Sequence, residues 1–225
     1  MAKARSIVKL SGTLGDVTFV DSKAYGFHSR GKRTVWEKSD GMIASSSNQT
    51  EANLMAKIIF DAVNELAPNF KDGKFWSRLV SVFRQQKKAG IAYNYEGFNH
   101  FDMRIDYPAS AHGRFSVSTT NTADKPSPDV MLNYYLNKNM DYKLSILRIA
   151  ADATLLNAYP SEVIEIAIAG EKTGEVSYGF SALPADTKAL YVLKCEQSVN
   201  GKVTGLLKGQ SVQFLKDTSI ISATA

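Results

Sequence analysis

Residues 48–89 read NQTEANLMAKIIFDAVNELAPNFKDGKFWSRLVSVFRQQKKA, and their periodicity sets the expected fold. Leu54, Met55, Ile58, Ile59, Ala62, Val63 and Leu66 recur at helical spacing, the stripe of a helix with one broad apolar face. Leu54, Ile58, Ile59 and Leu66 are its expected core contacts. Pro68 ends the run, because it lacks an amide donor and pushes the preceding residue out of the helical region. Phe75, Trp76, Leu79, Val80 and Phe83 repeat the spacing in a second helix, and Gly90 stands where a C-cap glycine belongs. Asn48 and Glu51 have the spacing of a capping box, which places the first helix start at Asn48. The Ser-rich stretch 38–49 before it reads as a linker.

Upstream, the pattern is extended. Ile7-Val8-Lys9-Leu10 and Val17-Thr18-Phe19-Val20 are β-prone runs, and Gly12 to Asp16 between them supply turn residues, so 6–20 reads as a hairpin. A second extended run, 24–30, leads through the cluster Arg30-Gly31-Lys32-Arg33 to Thr34-Val35-Trp36. This segment has too few apolar residues for a core of its own.

Downstream of Gly90 the period changes from helical to two. Phe101, Met103, Ile105 and Tyr107 alternate with Asp102, Arg104 and Asp106, as a half-buried strand would. Further strands are expected over 114–119, 130–136, 142–149, 162–169, 175–181, 189–197, 202–207 and 211–215. Asn200-Gly201 is a type I′ hairpin signal. Short strands at this spacing predict a β-sandwich. The expected fold is therefore α+β: an N-terminal basic β-hairpin segment (1–40), a central helical pair (41–100) and a C-terminal antiparallel β-sandwich of immunoglobulin-like type (101–225).

The chain has 225 residues, of which 44% are hydrophobic, ordinary for a globular protein. No apolar run approaches the roughly 18 residues of a membrane span, and the basic, polar N-terminus lacks the apolar core of a secretory signal. A cytoplasmic or virion-associated location is the expectation. The lone Cys195 excludes an intrachain disulfide and a Cys-based zinc site, and reads as a buried small apolar residue. The net charge of +5 is uneven. Residues 1–40 hold eight Lys/Arg against four Asp/Glu, 41–100 seven against five, and 101–225 twelve against thirteen. The basic excess thus lies in the first 100 residues and suits a polyanion or an acidic protein surface.

The common catalytic patterns are missing: no Gly-x-Gly-x-x-Gly, no phosphate loop and no Gly-x-Ser-x-Gly. His28, His100 and His112 lack helical metal-site spacing, and a solvated loop is the commoner setting for such histidines. Asp102 and Asp106 read as solvent-facing strand charges. No enzyme activity, cofactor or metal is expected. Tyr93, Tyr95, Phe98 and Phe101 beside a basic helix end have the residue types that stack bases, although a core seam is the commoner use. The candidate nucleic-acid-binding set is Lys3, Arg5, Lys9, Lys23, Arg30, Lys32, Arg33, Arg78, Arg84, Lys87 and Lys88. Lys87 and Lys88 have a competing role as last-turn cations that complement the helix dipole.

The run Lys9-Leu10-Ser11-Gly12-Thr13-Leu14-Gly15-Asp16-Val17-Thr18-Phe19 resembles the opening of an uncharacterised family of small bacterial proteins. These begin with a Gly-x-x-Gly hairpin and continue through a helical middle into a β-rich C-terminal half. The resemblance covers mainly residues 7–35 and implies the same three-part layout, with no activity attached. Two functions are expected from the sequence. The first is a non-enzymatic structural protein that self-associates, phage-like or filament-like. The alternative is a nucleic-acid-binding accessory protein using the basic N-terminal half.

Overall fold

In the computed structural model, which describes residues 11–23, 26–31, 37–120, 129–184 and 186–218, the helical pair is α1 (Asp40–Leu66) and α2 (Phe75–Lys88). α1 starts eight residues before the expected capping box. Met42 and Ile43 donate their amides to the Ser39 carbonyl, and Asp40 puts a carboxylate in the first turn, where the helix dipole favours it. Residues 38–49 are thus largely helix rather than linker, and Asn48 lies inside it. The Ser, Thr and Asn residues that suggested a loop find partners within the helix: Thr50 Oγ1 donates to Ser46 O at 3.0 Å, and Gln49 donates to Asn53 at 2.9 Å.

The buried face of α1 is Ala52, Met55, Ala56, Ile59 and Val63. Leu54, expected in the core, is half exposed, because the face is rotated toward two alanines that permit close approach. Trp76 of α2 also lies outward, edge-on to Phe60 at 5.4 Å. α2 closes with a Schellman motif: Ile91 N–H bonds Gln86 O, Gly90 N–H bonds Lys87 O, and Gly90 takes φ +69°.

The chain forms two compact units, Met1–Ser45 and Ser46–Ala225, with the division inside α1. The smaller holds β1 (Gly12–Leu14), β2 (Val17–Ser22) and β3 (Gly26–Gly31), an antiparallel sheet in the order β1-β2-β3. Gly12 to Leu14 are strand rather than turn. The tight turn is Gly15-Asp16, where only Gly15 has positive φ. The expected partner run 7–10, with residues 24–25 and 34–36, lies outside the described residues.

The larger unit has three layers. The remaining strands are β4 (Phe101–Asp102), β5 (Gly113–Thr120), β6 (Asp129–Leu136), β7 (Asp141–Ala151), β8 (Glu162–Ile168), β9 (Thr173–Gly179), β10 (Lys188–Val199), β11 (Lys202–Val203) and β12 (Gln210–Leu215). A central sheet runs β4-β12-β10-β7-β8, with β11 paired to β10, and a second sheet runs β5-β6-β9; all these pairs are antiparallel. Alternation divides the central strands between two cores. Leu147, Ile149, Leu190, Val192, Val212 and Phe214 face the helices and pack with Met55, Ile59, Phe75, Leu79 and Phe83. Leu144, Ile146, Tyr191, Leu193, Cys195 and Leu215 face the second sheet and meet Phe115, Val117, Leu132 and Leu136. β7 and β10 therefore read as nearly continuous apolar runs.

Two strands fall short of their expected lengths. The strand expected over 101–107 is only Phe101–Asp102, because Arg78 takes the carbonyls of Asp102 and Met103, at 2.8 Å each, away from any ladder. Ile105 is consequently exposed. The strand expected over 202–207 stops at Val203, after the Asn200-Gly201 turn in which both residues have positive φ.

Candidate functional site

The basic residues fall into groups with different fates. Lys3, Arg5, Lys9, Lys32 and Arg33 lie outside the described residues. Lys23 follows β2, Arg30 sits on β3, and both are exposed; so are Arg84 and Lys88 on α2. Arg78 is partly buried. Besides the two carbonyls it pairs with Asp72 at 3.0 Å, and its guanidinium lies 4.8 Å over the Phe101 ring. It anchors α2 to β4, and three of its guanidinium N–H groups are committed to these protein acceptors. Lys87 pairs with Glu51 at 3.2 Å and ties α2 to α1. That bond, with one from the Tyr93 hydroxyl, holds the Glu51 carboxyl below its usual range. Burial and the same contact push the Tyr93 hydroxyl up to about 12.

Tyr93, Tyr95, Phe98 and Phe101 belong to the core under the helices. Phe98 is fully buried, 5.2 Å from the Phe83 ring and 6.1 Å from the Phe214 ring. The run is a seam between α2 and the central sheet, with no open ring pair for stacking on a base.

His100 and Asp102 line one polar hollow. A cavity of about 360 Å³ is lined by His100, Asp102, Ser110, Gly113, Arg114, Phe115 and Gln213. Sequence spacing did not bring these residues together, because four separate segments supply them. Burial pushes the Asp102 carboxyl up, against hydrogen bonds from the Ala109 amide (3.0 Å) and the Gln213 side chain (3.4 Å). Asp102 thereby caps the turn at Ala109, which gives the carboxylate a structural task. His112 is buried edge-on to Tyr142 at 5.9 Å, and burial lowers its pKa. Burial likewise raises the Cys195 thiol, which leaves it a core side chain without thiolate character. Among the described residues, no group of three or more His, Cys, Asp or Glu converges as metal ligands would. No described helix is long and apolar enough to cross a membrane.

Two charged residues, Arg148 and Glu196, are buried where strand periodicity gave no sign of it. Arg148, in the apolar run of β7, is 4% exposed; it donates to Ser181 O at 2.8 Å and pairs with Glu162 at 3.4 Å. An arginine inside the apolar stretch 146–151 of β7 is the sequence signal for such a network.

The smaller unit stands apart in its chemistry. None of its described residues is buried, although three strands are paired. Phe19 and Phe27 stack on one face with ring centroids 6.5 Å apart, and both remain partly open to solvent. Residues 40–47 of α1 are all exposed, Met42 and Ile43 among them. No protein-family model matches the chain, and no curated protein matches it.

Proposed function

We propose that the protein is a non-enzymatic structural component that self-associates through its N-terminal unit, in the manner of a phage-like or filament-like subunit. The observation that carries this reading is a paired three-stranded sheet with no buried residue among those described, continued by helical turns that are exposed on every side. A small sheet without a core is marginal in water, and Gly- and Ser-containing helical turns gain little from intrinsic propensity. Both gain stability when a neighbouring chain covers them. The stacked Phe19–Phe27 pair supplies apolar surface for that contact.

On this reading the two facing sheets are an immunoglobulin-like interaction scaffold. What supports it is the order of their seven main strands, β5 to β10 and β12. The first, second and fifth form one sheet; the fourth, third, sixth and seventh form the other. This differs from the constant-type arrangement only in the sheet that holds the fourth strand.

The nucleic-acid reading keeps one supporting observation, the exposed Lys23, Arg30, Arg84 and Lys88. Sizing the purified protein with and without DNA or RNA separates the two. The expected result is a high-mass assembly free of nucleic acid. A monomer that shifts only with nucleic acid, with affinity falling steeply as salt rises, would replace the assembly reading.

A further inference from the structure

Resting on that reading, we infer that the N-terminal sheet of one copy docks on the β8–β9 flank of a second copy. β8 ends the central sheet and β9 ends the second sheet, so among the described residues the sandwich leaves both strand edges unpaired on this flank. Between those edges Ile164, Ile166, Val176 and Tyr178 point into the core yet stay only half buried. The flank is thus an uncovered apolar seam bordered by free backbone donors and acceptors, the surface that strand addition completes.

Charge selects the occupant. Residues 160–180 carry four Glu and one Lys, a net −3, whereas residues 1–40 carry a net +4. Opposite fields of this size steer encounter at low salt and fix register. Strand geometry agrees. β3 offers six residues to the seven of β8. Successive side chains alternate, so turning Phe27 and Ser29 toward the side of Ile164 and Ile166 places Arg30 on the side of Glu165. Glu165 is exposed and paired with Lys143 at 2.8 Å, a surface contact that a new cation can share. Because arm and flank are different surfaces, the contact is head-to-tail, and copies add until a ring closes or a filament grows.

The test reverses charge on one side at a time in the full chain. An arm variant carries Lys23→Glu and Arg30→Glu; a flank variant carries Glu165→Lys and Glu175→Lys. Each alone is expected to associate at least about tenfold more weakly than the wild type. Mixed one to one, they are expected to regain association, since intact arm meets intact flank and reversed arm meets reversed flank with opposite charge. Amide exchange of the wild type adds a readout free of mutation: β8 and β9 amides gain protection as concentration rises. A flank variant that assembles as the wild type does, or β8 and β9 amides unprotected in the assembly, overturns the docking surface and leaves self-association standing. A wild type that stays monomeric at every concentration removes the reading beneath it.

Discussion

Arg148 carries a full charge inside β7, and the fold meets that cost with a short network. Its guanidinium has the Ser181 carbonyl, the Glu162 carboxylate and the Phe180 ring at 4.7 Å. Glu162 also accepts the Ser181 amide at 3.0 Å. Contacts with Ser181, then Arg148, hold the Glu162 carboxyl below its ordinary range. A carboxyl lowered in the folded state adds stability above its unfolded pKa and loses it as pH falls through the folded value. Glu162→Gln is therefore expected to lower stability at pH 7 by about 1 kcal/mol, given its partial exposure. The difference from wild type is expected to shrink as pH falls below the ordinary carboxyl value of 4.5 and to vanish below the lowered folded value. Urea unfolding at pH 7 and pH 3 reads both. An equal deficit at the two pH values would show that the network's charge is not what matters there.

At the scale of elements, α1 shows what sequence does and does not reveal. The apolar stripe was legible, because Met55, Ile59 and Val63 recur at helical spacing whatever they pack against. The start was not. Gly41 and Ser45-Ser46-Ser47 have loop-forming preferences, and the bonds that hold them in a helix are backbone bonds common to every residue. Leu54 misled because stripe width is set by the partner surface. Phe101 to Tyr107 misled for a related reason: their alternation is real, but Arg78, 24 residues upstream, takes the carbonyls a strand would use. The polar hollow at Asp102 was invisible because β4, β5, β12 and the turn at Ala109 meet only in the folded chain.

The exposed start of α1 makes its own prediction. Gly41 has open space around the position of a Cβ. Gly41→Ala is expected to steady the first turns by about 0.5–1 kcal/mol without shifting the unfolding midpoint of the larger unit. Slower amide exchange over 40–47, with exchange over 55–63 unchanged, is the readout. Slowing across both stretches would mean that the first turns share the stability of the core.

At the scale of the molecule, the larger unit has apolar cores of its own, whereas no described residue of the smaller unit is buried. Helices, central sheet and second sheet bury two apolar cores, one on each face of β7 and β10. Strand count and turn chemistry announced this half in the sequence, since each main strand of the sandwich appears near its expected place. The smaller unit has paired strands, a stacked aromatic pair and no buried described residue. On the proposed reading its stability comes from outside its own sheet, and a second copy offers an oppositely charged flank whose strand edges are unpaired among the described residues.

Sedimentation velocity of the full chain beside a chain beginning at Ser46, at matched concentrations and low ionic strength, tests this most directly. The full chain is expected to form multimers whose mass rises with concentration, while the shortened chain sediments as a folded monomer. A full chain that remains monomeric, or a shortened chain that associates equally well, would contradict it.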